Sequence, residues 1–179
     1  MINGASGGVG TFAVQIAKSF GAEVTAVCST KNLDMVRQIG ADHVIDYTKE
    51  DFTQGDQHYD LIVDTVGTHS LLDYKHVLTE QGKLVIVGGQ VDNWMLGMLG
   101  TLAYAKILSP FISQKFGMML AELNAEDLKI LSDLMQAGKV TPVIDRTYKL
   151  SEVPEALRYL EQGHARGKVV ISMADDNKS

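Results

Sequence analysis

Residues 1–20 read MINGASGGVGTFAVQIAKSF, and this stretch decides the fold. Met1–Ile2 has the look of the tail of a β-strand. Residues 4–10 are glycine-rich. Val9 to Phe20 then carries apolar residues at helical spacing, with Val9, Phe12, Ala13, Ile16 and Ala17 on one face, and Gly21 stops the helix. Strand, glycine loop and helix in that order suit a dinucleotide's pyrophosphate, which must approach backbone N–H groups at the positive end of a helix. A Cβ on Gly7 or Gly8 would hinder that approach, and Gly10 lets the helix pack closely on the sheet. The loop fits three templates at once. Gly4, Gly7 and Gly10 make G-x-x-G-x-x-G; Gly4, Gly8 and Gly10 make G-x-x-x-G-x-G; Gly8, Gly10 and Ala13 make G-x-G-x-x-A. The glycines alone therefore leave the family open.

Strand and helix alternate outward from this unit. The pattern predicts a strand at Glu23–Cys28, a short helix at Asn32–Ile39 closed by Gly40, and a strand at His43–Asp46. It continues with a buried strand at Tyr59–Asp64, whose Leu61–Ile62–Val63 run does not alternate. A helix follows at Ser70–Leu78, then a turn at Gly82 and a buried strand at Lys83–Val87. Residues 94–115 read as one or two helices broken near Pro110, and Phe116–Ala121 as a sixth strand. Asn124 is positioned to cap a helix that runs to Gln136, with Gly138 as its stop. Thr141–Tyr148, Ser151–Glu161 and Lys168–Ser172 read as strand, helix, strand, with Ser151 as cap. Repeated β-α-β units with near-continuous apolar strands predict an α/β protein. Its doubly wound parallel sheet is a Rossmann fold with a C-terminal strand-helix-strand appendage.

Composition sets bounds on function. The chain has 179 residues, 45% hydrophobic and 21% charged, an ordinary soluble globular balance. Its net charge of −6 argues against nucleic acid as a partner. One cysteine, Cys28, allows no internal disulfide and no cysteine-based zinc knuckle. No signal peptide opens the sequence, so cytoplasmic residence is the expectation. The apolar stretch from Trp94 to Leu123 is interrupted by Lys106, Pro110 and Lys115, and is read as core helix or pocket wall rather than a membrane span.

The strand ends carry the candidate site. A site that prefers NAD places an acid at the end of the second strand, about 20 residues after the loop. Here that stretch is Cys28-Ser29-Thr30-Lys31, with no acid. Ser29 and Lys31 offer a hydroxyl and an ammonium group to a 2′-phosphate, which favours NADP. Arg37 is a more remote second cation. Asp64-Thr65-Val66-Gly67 and Val87-Gly88-Gly89 end the fourth and fifth strands, where small residues let backbone approach ribose and nicotinamide. His43, His58, His69, His76 and His164 form no metal-binding cluster, and His69 and His76 read as surface residues sharing a helix face. No tyrosine has lysine four residues later, which argues against a short-chain dehydrogenase and its Tyr-x-x-x-Lys pair.

Five stretches together resemble the cofactor domain of the medium-chain dehydrogenase/reductases, and within them the zinc-free quinone oxidoreductase-like group. They are INGASGGVGTFAVQIAKSFGAEV (2–24), GADHVIDY (40–47), YDLIVDTVG (59–67), GKLVIVGG (82–89) and PVIDRTYKLSEVPEALRYLEQGHARGKVVI (142–171). The resemblance implies that Ser6, Gly7, Gly8 and Val9 contact the pyrophosphate. It implies that Ser29, Lys31 and Tyr47 hold the 2′-phosphate of NADP(H), and that Val66, Gly67, Gly88 and Gly89 line ribose and nicotinamide. It further implies hydride transfer between NADPH and a quinone, enone or carbonyl substrate, and a homodimer through an edge strand at Phe116–Ala121.

In such enzymes a GroES-like catalytic domain precedes this point. Residues 1–140 are then the NAD(P)-binding Rossmann domain, and 141–179 the segment that packs on the catalytic domain. No catalytic residue or metal ligand can be named from this chain. It is expected to bind cofactor and reduce substrates poorly, with residues 141–172 finding another surface, shifting or staying loosely held. The alternative reading is a non-catalytic nucleotide-binding or redox-sensing module.

Overall fold

The computed structural model describes residues 1–87, 113–119, 122 and 124–173. Six strands form one sheet: β1 (Ile2–Asn3), β2 (Thr25–Cys28), β3 (His43–Asp46), β4 (Tyr59–Asp64), β5 (Leu78–Ile86) and β6 (Lys115–Met118). Their order is β3-β2-β1-β4-β5-β6, and every pair is parallel. Helices α1 (Gly10–Ser19), α2 (Leu33–Gln38) and α3 (Leu71–His76) lie between successive strands. The chain winds outward from β1 to β3, then returns to lay β4 on the other side of β1. That reversal opens a crevice at the carboxyl ends of β1 and β4, where ligands of such sheets bind. The expected doubly wound α/β fold is therefore present.

Both faces of the sheet are packed. Val27, Ile62, Tyr74, Val77 and Leu84 gather on one face, while Ile2, Val14, Ala26, Cys28 and Val36 gather on the other. Along β2, Val27 faces one layer while Ala26 and Cys28 face the other, as strand alternation requires.

Several elements depart from their predicted form. The buried residues of α1 are Gly10, Thr11, Val14 and Gln15; of the predicted 9-12-13-16-17 face, Ala13 and Ala17 pack partly buried against the core, and Val9 is exposed. A Cβ at Gly10 would sit 2.1 Å from the Gly4 carbonyl oxygen and 2.7 Å from Ala5 Cα. Backbone contact at this glycine turns the 10-11-14 side of the helix to the sheet. On β4, Leu61 stays 47% exposed, although its carbonyl accepts from the Met1 amino group at 2.7 Å. Gly82 lies inside β5 rather than at a turn. Tyr59 pairs with Leu78 and Leu61 with Lys83, so β5 bulges between them, and a Cβ at Gly82 would crowd the Tyr59 carbonyl oxygen at 2.9 Å. Helix α3 is shorter than predicted: Ser70 is its cap in a reciprocal capping box with Asp73. His69 thus precedes the helix and shares no face with His76. The predicted helices of 94–115 fall largely outside the described residues.

The C-terminal part holds α4 (Ala125–Gln136), β7 (Ile144–Lys149), α5 (Val153–Glu161) and β8 (Lys168–Ser172). Asn124 caps α4 as expected, its side-chain oxygen accepting from Asp127 N at 2.7 Å, and Gly138 follows at φ +68°. Ser151 is not a cap. A 3-10 turn at Leu150–Glu152 precedes α5, and Glu152 accepts from Lys149 N at 2.8 Å. β7 and β8 form a separate two-stranded parallel sheet. Three contacts tie this part to the glycine unit. Gln15 Nε2 donates to the Thr141 carbonyl at 2.9 Å, and Thr141 N donates back to Gln15 Oε1 at 2.8 Å. Gly167 N donates to the Ser6 carbonyl at 2.9 Å. Lys168 Nζ lies 5.5 Å from the centroid of the Phe12 ring.

Candidate functional site

The glycine loop takes its shape from its neighbours. Gly4 has φ +80°, and a Cβ there would lie 2.3 Å from Thr65 Oγ1, so only glycine fits. The amides of Gly4 and Ala5 both donate to the Val27 carbonyl, at 3.2 and 3.0 Å. The loop then enters α1, whose N-terminus has no side-chain cap and no acid in its first turn. The positive end of the helix is thus left for an anion. A Cβ at Gly7 would meet only the Gly4 carbonyl, at 3.5 Å, so the bare side of Gly7 is open. Gly8 differs: its Cβ would lie 3.1 Å from the Gly167 carbonyl and 3.2 Å from Lys168 Nζ. The space beside Gly8 is taken by the C-terminal segment.

A cleft of about 1010 Å³ opens at these strand ends. Ser6, Gly7, Ser29, Lys31, Tyr47 and Val66 all line it, while Gly8, Val9 and Gly67 do not. Gly88 and Gly89 lie outside the described residues. Arg37 is spent on Asp34 at 3.1 Å and does not reach the cleft. The ends of β2 and β3 are joined below Lys31 and Tyr47 by Asp46, which is buried. Its carboxylate accepts from the Thr30 hydroxyl, and from the Thr48 hydroxyl at 2.7 Å and the Thr48 amide at 3.1 Å. The Thr30 hydroxyl, and then that of Thr48, hold this carboxyl well below the usual carboxylate range. Lys49 adds an ion pair at 3.3 Å.

The far wall is set by Asp64, which ends β4 with no solvent exposure. Its Oδ1 accepts from Asn3 Nδ2 at 3.0 Å, Val66 N at 2.9 Å and Gly67 N at 3.1 Å. Its Oδ2 accepts from Gly67 N at 3.1 Å and the Tyr74 hydroxyl at 2.6 Å. Burial, then the bond to Asp64, drives the Tyr74 phenol far above its ordinary pKa. This carboxylate folds the loop after β4 back on itself and so aims Val66 at the cleft. Gly67 supplies the turn, at φ +75°.

Other lining groups had no signal in the sequence reading. Phe52 and His69 meet edge to face at 4.8 Å between ring centroids, and both line the cleft. Their pairing joins two loops distant in sequence, which no local pattern reveals. Glu50 and Asp51 bring acids to the cleft from beyond β3. The Asp51 carboxylate is already held by Thr53, accepting from its hydroxyl at 2.7 Å and its amide at 2.9 Å. Gly163, His164 and Ala165 come from the C-terminal part, where the motif GHARGK was the available clue. Asn32, beside Lys31 in sequence, is 5% exposed and also lines the cleft.

Comparison with known proteins agrees with this geometry. A family model described as "Zinc-binding dehydrogenase" matches residues 39–171. The mouse protein "NAD(P)H oxidoreductase RTN4IP1, mitochondrial" is 38% identical over 192 residues, covering 97% of this chain and 47% of the relative. The Aspergillus terreus "Trans-enoyl reductase pgmF" is 34% identical over 180 residues, covering 96% and 51%. The solved structure of the quinone oxidoreductase from Coxiella burnetii superposes with a TM-score of 0.79 at 29% identity, covering 97% of this chain and 52% of its own. The chain spans about half the length of the curated relatives it matches. The metal in the family's description finds no ligand set here: among the described residues no three His, Cys, Asp or Glu side chains converge. Sheet order, glycine loop and sequence matches together place the chain in the zinc-binding dehydrogenase family of the medium-chain dehydrogenase/reductase superfamily.

Proposed function

We propose that this chain is the NADP(H)-binding portion of an oxidoreductase that transfers hydride between NADPH and a small quinone, enone or carbonyl substrate. One observation carries the reading. Ser6 and Gly7, at the uncapped N-terminus of α1, share a single cleft with Ser29, Lys31 and Tyr47. An anionic group at the helix end and a second phosphate beside Lys31 would both be served. The fit has a further support in the open side of Gly7.

Within this reading each group has a task. Ser6, Gly7 and the amides that begin α1 hold the pyrophosphate, with Gly8 and Val9 shaping the loop. Ser29 and Tyr47 offer hydroxyls, and Lys31 a charge, to the 2′-phosphate. Val66, positioned by the turn at Gly67, supplies wall for ribose and nicotinamide. The bound cofactor supplies the hydride, and the protein orients it and excludes competing reactions. The printed names of the relatives, NAD(P)H oxidoreductase and trans-enoyl reductase, support the reaction class. A homodimer through the edge strand β6 belongs to the same reading. Isothermal titration with NADPH and NADH tests it. NADPH should bind more tightly, and Lys31→Ala should weaken NADPH about tenfold while leaving NADH nearly unchanged. No NADPH binding, or equal losses for both nucleotides, would defeat the proposal. Oxidation of NADPH with 9,10-phenanthrenequinone separates this reading from a purely regulatory nucleotide-binding module.

A further inference from the structure

Asn32 links the two serines of the cleft, Ser6 at the glycine loop and Ser29 at the end of β2. Its amide nitrogen donates to Ser6 Oγ at 3.0 Å and to Ser29 Oγ at 3.2 Å. Its backbone amide donates to the Ser29 carbonyl at 2.9 Å, which fixes the side chain's origin. It is 5% exposed, so both bonds are made inside the wall of the cleft, where losing them is costly.

The hydrogen-bond chemistry is directional. A serine hydroxyl has one proton and two acceptor lone pairs. With Asn32 Nδ2 donating to both oxygens, neither serine needs to turn its proton back into the protein. Both O–H groups are free to donate to phosphate oxygens, one at the α1 terminus and one at the end of β2.

We infer that Asn32 couples the diphosphate and ribose-phosphate subsites, setting Ser6 and Ser29 as a matched pair of phosphate donors. This rests on the function proposed above and adds to it a residue at which the two subsites act together. Asn32→Ala should weaken NADPH at least tenfold, and NADH by less, since NADH lacks the phosphate served by Ser29. Ser29→Ala should weaken NADPH alone. Ser6→Ala should weaken both nucleotides.

The decisive readout is coupling. In the Asn32→Ala background, removing either serine hydroxyl should cost little further, because the pair is already released. Titration of the six chains (wild type, the three single variants and the two doubles) with both nucleotides measures it. Fully additive losses would overturn the inference, as would Asn32→Ala binding like wild type. Should Asn32→Ala fail to fold by thermal melt, Asn32→Asp keeps the test. Its carboxylate takes both serine protons and repels phosphate, so NADPH binding should fall more than tenfold, and wild-type affinity in that variant would overturn the inference. A wild-type chain that binds NADPH with unaltered Asn32 variants defeats only this inference. A wild-type chain that binds neither nucleotide defeats it together with the function it rests on.

Discussion

The phenol of Tyr74 donates a 2.6 Å hydrogen bond to Asp64 Oδ2, and both residues are sealed from solvent. Asp64 and Tyr74 sit ten residues apart, at the end of β4 and within α3. The bond therefore fixes the helix against the loop that carries Val66 into the cleft. Tyr74→Phe keeps the packing and removes one donor from a buried carboxylate. It should lower stability by about 1.5–3 kcal/mol, the worth of a hydrogen bond to a charged group. Chemical denaturation measures this. A loss below about 0.5 kcal/mol would mean that the other donors to Asp64 suffice.

Gly10 gives a sharper prediction, because its neighbour is backbone. A Cβ placed there would lie 2.1 Å from the Gly4 carbonyl, well inside contact distance, and neither partner is a movable side chain. Gly10→Ala should push α1 off the loop, lower the melting temperature and abolish nucleotide binding. Gly21→Ala is the matched control: a Cβ there meets nothing within 4 Å, and only its φ of +80° is strained, so it should destabilise about 1 kcal/mol with binding retained. Equal binding by the two variants would refute the role given to Gly10.

These two cases show what the sequence could and could not reveal. Glycine spacing and apolar runs are local signals, and they placed β3, β4 and β8 at their observed bounds. The glycine loop and the strand ends pointed to Gly7, Ser29, Lys31 and Val66, and the family resemblance added Ser6 and Tyr47; all six line one cleft. The face of α1 was read only in part, at Ala13 and Ala17, because backbone contact at Gly10 turns Thr11, Val14 and Gln15 inward as well. Asp64 looked like an ordinary strand end, since its donors come from Asn3 and Tyr74, far apart along the chain. Asn32 and His69 were hidden for the same reason. Their meaning depends on partners 26 residues away for Asn32 with Ser6, and on a ring in another loop for His69.

Alkaline pH should destabilise the protein through its buried thiol and phenols. Burial, then the nearby Asp46 charge, pushes the Cys28 thiol up to about 11, and burial also raises Tyr59 and Tyr74. Each of these folded-state values lies above its unfolded one. The stability they contribute is full below the unfolded cysteine pKa of about 8.5 and is lost as pH rises toward 11. Denaturant midpoints should therefore fall between about pH 8.5 and 11. Cys28→Ala should flatten the early part of that fall, leaving the tyrosines to act above about pH 10. A midpoint that holds constant to pH 10.5 would contradict the assignment.

Gln15 and Thr141 make the reciprocal contact that ties the C-terminal part to α1, with bonds of 2.9 and 2.8 Å across 126 residues. The side chain imitates a strand partner, accepting from the backbone amide and donating to the backbone carbonyl of one residue. Gln15 is also buried and bonds the Thr11 carbonyl at 2.9 Å, so its own position is fixed by the helix. Gln15→Leu keeps the volume and removes both bonds, leaving a backbone pair at Thr141 without partners. The expected cost is about 1–3 kcal/mol. Because Gly167 touches the Ser6 carbonyl from the same C-terminal part, the loss should travel. Amide exchange should rise first at Thr141, then at Gly167, and nucleotide affinity should drop severalfold although Gln15 does not line the cleft. Exchange confined to Thr141, with affinity unchanged, would show that the C-terminal part is held by its other contacts and that Gln15 serves α1 alone.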